Sequence, residues 1–152
     1  MTSGVASNSG SKIVVGVDGS DGSLEALRWA ARQAQLTGAS LHVVTAWAFP
    51  EHGTPFGIVF DLASLSDPTA RAREALGRAI FDTLGDHQQI EVRAEVIPGD
   101  EAPVLLEAAR DADLLVVGNR GRGAFVGMLL GSVSEQCVRH APCPVVVVRN
   151  HE

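Results

Sequence analysis

Beyond residue 11 the chain alternates short apolar runs with segments whose apolar positions recur every three or four residues. Lys12-Ile13-Val14-Val15-Gly16-Val17 is a β-branched run, cut off by the turn formers Asp18-Gly19-Ser20-Asp21-Gly22-Ser23. Leu24, Leu27, Ala31 and Ala34 then mark one face of a helix that Gly38 closes, and residues 41–46 read as a second strand. Residues 49–66 have no period and are expected to be a long loop. Asp67-Pro68 follows, a capping side chain before a proline at the first helical position, and the helix it opens carries the stripe Ala72, Leu76, Ile80 and Leu84 as far as Gly85. Residues 90–96 alternate polar and apolar, as a half-exposed strand does. Residues 100–110 predict a short helix, with Pro103 tolerated in its first turn. Residues 114–117 are apolar at every position, which suits a strand covered on both faces. A glycine-rich stretch follows, then a helix with Val133, Cys137 and Ala141 on one face. Pro142 and Pro144 stop that helix before a last strand of four valines, 145–148.

Strand–helix alternation predicts an α/β fold, an open five-stranded parallel sheet with helices on both faces joined by right-handed crossovers, a Rossmann-like arrangement. Two strand orders are common for five strands, 3-2-1-4-5 and 2-1-3-4-5. The alternation in the third strand marks it as an edge and favours 3-2-1-4-5. In that order the winding reverses between strands one and four, and ligands of open sheets bind at such a switch, beyond the carboxyl ends of the strands. The loops meeting there are the ones at Asp18 and Gly118. The fifth strand is the other edge, and four consecutive valines on an open edge invite pairing with another chain, so a homodimer through this strand is expected.

Composition narrows the function classes. The chain's 152 residues match one domain, 12–150, behind a loose, disordered polar tail, 1–11. With 45% hydrophobic and 20% charged residues it is globular rather than disordered. No apolar run exceeds four residues, which excludes a spanning helix, and the first residues lack the basic and apolar regions of a signal peptide. Two cysteines make no disulfide scaffold, so a reducing, cytoplasmic setting is the default. A net charge of −6 with a single lysine argues against nucleic acid as a partner. Any bound anion must then be held largely by backbone N–H groups and helix ends.

The segment Gly118-Asn119-Arg120-Gly121-Arg122-Gly123, continuing to Gly131-Ser132-Val133-Ser134, runs from a strand end to a helix start. Glycines let the backbone approach a ligand, and the helix start offers N–H groups, the positive end of its dipole and two serine hydroxyls. Together these make a pocket for phosphate oxygens, to which Arg120 and Arg122 could add charge. A turn-forming surface loop has the same glycines, but its place at the switch point favours the phosphate pocket. No G-x-x-x-x-G-K-[ST] motif is present, so the chain is no P-loop ATPase or GTPase. The turn after the first strand is not G-x-G-x-x-G, and its two carboxylates would repel a pyrophosphate. They suit ribose hydroxyls, a base amine or a hydrated metal ion instead.

On these residues the sequence resembles the nucleotide-binding branch of the universal stress protein family. The motif is G-x-x-G, nine residues, then G-[ST], matched by Gly118, Gly121, Gly131 and Ser132; Val17-Asp18-Gly19-Ser20 and Pro142-Cys143-Pro144-Val145 match as well. The resemblance covers residues 12–149. It implies a sheet of order 3-2-1-4-5, a dimer through the fifth strand and binding of ATP or a related adenine nucleotide, with Mg²⁺ or Mn²⁺ able to accompany it. By similarity Gly118, Asn119 and Gly121 approach the ribose and phosphates, and Gly131, Ser132, Val133 and Ser134 hold phosphates. Val17 and Asp18 face the adenosine, and the backbone near Ala46 meets the adenine. The implied role is a regulatory binding module in stress response, with at most slow ATP hydrolysis, since no general base stands out beside the loop. Its protein partner is not identified.

Two rivals share these residues. A cyclic-AMP binder of the same fold needs less of the anion site at Gly131–Ser134. An adenylating enzyme would use residues 18–23, which are faintly similar to the Ser-Gly-Gly-x-Asp-Ser loop of PP-loop ATP pyrophosphatases, with Asp18 in place of the leading serine. Cys137, His140 and Cys143 have metal-ligand spacing, yet Cys137 shares a helical stripe with Val133 and Ala141, so buried structural residues are expected. His42 reads as a packed histidine, and Trp29 and Trp47 as core or core-rim residues.

Overall fold

In a computed structural model, residues 10–48, 68–86, 89–121, 127 and 129–150 are described. The expected tail up to residue 9, the expected loop 49–66, the cap Asp67 and Arg122 lie outside them. Five strands, β1 (Lys12–Gly16), β2 (Ser40–Trp47), β3 (Val92–Pro98), β4 (Leu114–Gly118) and β5 (Val145–Val148), form one parallel sheet. Its order is β3-β2-β1-β4-β5, the order argued from the alternation in the third strand. Four helices connect them: α1 (Asp21–Thr37), α2 (Pro68–Leu84), α3 (Glu101–Ala108) and α4 (Ser132–His140). Among the described residues no helix is long and apolar enough to cross a membrane.

The sheet is buried on two sides because each parallel crossover lays a helix on one face. One core joins Ile13, Val15, Leu41 and Val43 to Leu27, Ala31 and Ala34 of α1 and to Ala72 and Leu76 of α2. The other joins Val14, Val44, Leu115 and Val117 to Val104 and Leu105 of α3 and to Cys137 of α4. The apolar stripes expected of α1, α2 and α4 are thus the faces that pack. Leu24 and Ile80 sit at the rim of the first core with Trp29, while Trp47 is buried. Ser20 caps α1, its hydroxyl accepting from the Ser23 N–H at 3.2 Å, and Gly38 ends it in the left-handed conformation.

Two boundaries differ from the periodicity reading. β3 begins at Val92 and runs to Pro98 because its register follows β2 to the end, pairing Ala46 with Ile97 and Trp47 with Pro98. Proline is tolerated there because it closes an edge strand, where an absent N–H leaves no ladder bond broken. The third helix gives way to a 3₁₀ turn at Ala109–Asp111, a common tightening of a last turn.

Burial pushes the Cys137 thiol up to about 11, with the negative charge of Glu101 adding to it, whereas Cys143 is only partly buried. Thiolate is the reactive form. Brief iodoacetamide treatment of the folded protein near neutral pH should therefore label Cys143 ahead of Cys137, which reacts only on unfolding. Peptide mass spectrometry checks this, and equal labelling rates in the native state would contradict the packing of α4.

Candidate functional site

β1 and β4 are neighbours, with Val14 opposite Leu115 and Val15 opposite Val116, so the segments that leave their carboxyl ends emerge side by side. The first continues along β2 for one more residue. The Val17 N–H donates to Val44 O at 3.0 Å, and the buried Thr45 hydroxyl donates to Val17 O at 2.8 Å. Gly19 then turns the chain at φ 88°, a conformation that disfavours any side chain. The buried Asp18 faces back over this turn. Its Oδ1 accepts from the Ser20 N–H at 2.9 Å and the Ser20 hydroxyl at 2.6 Å, and its own N–H donates to Ser23 Oγ at 3.2 Å.

The second segment presses against the first. A Cβ placed on Gly118 would lie 2.8 Å from Gly22 O, and one on Gly22 would lie 2.8 Å from Arg120 O. Both distances are closer than carbon and oxygen tolerate, and the obstacles are backbone atoms that cannot swing aside. A Cβ on Gly121 would come within 2.9 Å of Asp18 Oδ2. The carboxylate of the first loop and the glycines of the second therefore meet in close contact at the switch point.

Asn119, also buried, ties this corner to the start of α4. Its carbonyl accepts the Gly131 N–H at 2.7 Å, and Ser134 Oγ lies 3.0 Å from it and from Gly131 O, its one proton serving either. Gly131 is the N-cap of α4, so the helix starts against the end of β4. The next N–H groups, of Ser132, Val133 and Ser134, belong to the first turn, which an α-helix leaves without partners of its own. Ser132 is exposed there, Val133 half-buried and Ser134 buried. Arg139 and His140 in the last turn complement the other end of the dipole.

Of the residues singled out in the sequence, Asp18, Gly118, Asn119, Gly121, Gly131 and Ser134 are brought together by these contacts, and Val17, Ser132 and Val133 adjoin them. Ala46 lies at the same end of the sheet, its methyl group in the second core. Two of the expected ligand groups turn inward: Ser134's hydroxyl and both ends of the Asn119 amide are engaged with protein. Sequence reasoning missed Ser20, Ser23 and Thr45, which hold the Asp18 turn in place. The Ser-x-x-Ser spacing before α1 is a capping signal that could have found the first two.

A concavity of about 420 Å³ runs between α3 and the β2–β3 side of the sheet, past Ile97, Pro103 and Val104. It is away from the loops, so the chemistry argued above does not fall in it. Its floor includes buried His42, whose Nε2 lies 2.9 Å from Glu95 Oε1 and whose Nδ1 is buried with no partner. Burial lowers the His42 pKa, and the bond to Glu95 offsets this only in part. Among the described residues no three His, Cys, Asp or Glu side chains gather as a metal site.

Comparison with known proteins agrees with this fold. The model of the universal stress protein family matches residues 11–149. A universal stress protein of Mycobacterium tuberculosis is 37% identical over 160 aligned positions, covering 100% of this chain and 51% of the relative. The chain thus spans about half the length of the curated relatives it matches. Among solved structures, universal stress protein UspA from Lactobacillus plantarum superposes with a TM-score of 0.73 at 24% identity, covering 93% of this chain and 100% of its own, which speaks to the fold alone. A universal stress protein crystallised in complex with cAMP superposes with a TM-score of 0.67 at 30% identity, covering 93% of this chain and 98% of its own.

The lowered pKa of His42 sets a pH dependence. The unfolded chain takes up the proton near the ordinary value of 6.5 and the folded chain only below it, so the contribution of His42 is full above that value and is lost as pH falls through the window beneath it. Urea unfolding at about pH 7 and about pH 5.5 should show a smaller loss of stability for His42→Gln than for the parent. Equal losses would contradict a buried, neutral imidazole.

Proposed function

This chain belongs to the universal stress protein family, and we propose that it is an adenine-nucleotide-binding regulatory module whose first ligand is ATP. The reading is carried by one observation: the Asp18 turn, the Gly118–Gly121 backbone and the amino end of α4 are packed together at the switch between β1 and β4. Phosphate oxygens fit the exposed Ser132 hydroxyl and the first-turn N–H groups of Ser132, Val133 and Ser134. Gly131 and Ser134 act here through the start of the helix, since the Gly131 N–H and the Ser134 hydroxyl are turned to Asn119. Gly118 and Gly121 let the backbone pass beside the ribose. Asp18, beside Val17, accepts from a ribose hydroxyl or the adenine amine, and the end of β2 at Ala46 meets the adenine.

Mg²⁺ or Mn²⁺ would bridge the phosphates of a bound ATP, as such ions commonly do. Hydrolysis, if it occurs, is slow, and the protein acts by binding. We place it in the cytoplasm, as one domain over residues 12–150 behind the tail 1–11. The second reading, cyclic AMP as the ligand, is favoured by the cAMP complex of the 30%-identical neighbour. An adenylating enzyme ranks third, since the Asp18 carboxylate is tied into its own turn by Ser20. Absence of pyrophosphate release from ATP with candidate substrates is the outcome expected there.

Titration calorimetry with ATP, ADP, AMP and cyclic AMP, each with Mg²⁺, tests the proposal. Binding with ATP ranked above cyclic AMP is expected; the reverse order establishes the second reading, and no heat from any of the four refutes both. Gly121→Val forces a side chain against the Asp18 carboxylate and should lower ATP affinity at least about ten-fold, equivalent to ~1.4 kcal/mol, with an unchanged circular dichroism spectrum. An unchanged affinity would mean the pocket lies elsewhere.

We also propose that β5, half-exposed at the sheet edge, pairs with β5 of a second copy. Sedimentation at micromolar concentration should give a dimer, and a monomer there removes this proposal.

A further inference from the structure

Asn119 follows β4 directly, is only 5% exposed, and has each of its polar groups hydrogen-bonded to one of two distant stretches of the chain. Its N–H donates to Val148 O at 2.9 Å, and its carbonyl receives the Gly131 N–H at 2.7 Å. Its side-chain Nδ2 donates to Leu129 O at 3.2 Å, and Oδ1 accepts the Asn150 N–H at 3.1 Å. The amide orientation is fixed by its partners, because the opposite one would set donor against donor at Asn150 and acceptor against acceptor at Leu129. One side chain thus ties the returning end of the glycine-rich loop to the chain leaving β5, while the main chain of the same residue seats the first turn of α4.

Resting on the nucleotide reading above, we infer that Asn119 is a positioning residue for the phosphates. It touches no phosphate itself; it fixes where the first turn of α4 and the end of the loop stand relative to β4. The adenosine side is built differently. Val17 is held by Val44 and Thr45, and Asp18 by Ser20 and Ser23, and none of these hydrogen bonds involves the Asn119 side chain. Removing that amide should therefore loosen the phosphate half of the site and leave the adenosine half in place. The neighbouring anchor, Ser134 Oγ, holds only the start of the helix against Asn119 O.

The test compares affinities for ATP, cyclic AMP and adenosine. In Asn119→Ala, affinity for the phosphorylated ligand that the parent binds should fall about ten-fold, while affinity for adenosine changes less than about two-fold. Asn150→Pro removes the N–H that Oδ1 accepts while leaving Asn119 in place, and should shift the same ratio in the same direction by a smaller factor, which supplies the test should Asn119→Ala fail to fold. Hydrogen exchange without ligand should quicken at Gly131 and in the first turn of α4 in the variants, and stay unchanged at Ser20 and Ser23. Equal losses for adenosine and the phosphorylated ligands, or no loss at all, overturn the inference while leaving the nucleotide site standing. A parent chain that binds adenosine derivatives of neither kind overturns the nucleotide reading and this inference with it.

Discussion

Two backbones meet where β1 and β4 end, and the meeting is possible only because neither has a Cβ at the point of contact. Gly118 and Gly22 approach so closely that a methyl group on either would sit 2.8 Å from a carbonyl oxygen. The order of the sheet requires the approach: with β1 beside β4, the start of α1 and the exit of β4 occupy one corner. From that corner the chain goes from β1 to α1 on one face and from β4 toward α4 on the other.

Polar groups confined at this corner must find partners inside the protein, because burial without them costs more than any contact there returns. Asp18 is satisfied within its own turn by Ser20, and Thr45 supports the turn from β2. On the opposite side Asn119 serves the loop, the helix and the end of β5 together. The result is a hydrogen-bonded frame with the first-turn amides of α4 at its margin.

Much of the fold was legible in the chain. The strand–helix alternation determined the class, and the polar face of β3 identified an edge and hence the order. The stripes Leu27-Ala31-Ala34 and Ala72-Leu76 are the ones found in the first core, and Cys137 packs in the second as its stripe required. Gly38 and Gly85 mark helix ends by a positive φ that the sequence anticipates. Periodicity was less informative at the ends of β3 and α3, since pairing with β2 and tightening of a last turn act across the sheet or along the backbone.

The glycine spacing and the Asp18 turn named both halves of the candidate site, because a backbone that must pass close to something excludes side chains locally. What each side chain does there was decided only in three dimensions. Asn119 and Ser134 look like ligand groups when read in line, yet they face inward to partners 10 to 31 residues away and 15 residues away, respectively. Local sequence fixes conformation and which residues are apolar. The direction in which a buried amide or hydroxyl points depends on which distant carbonyl or N–H the packed elements bring within reach, and only the assembled sheet determines that.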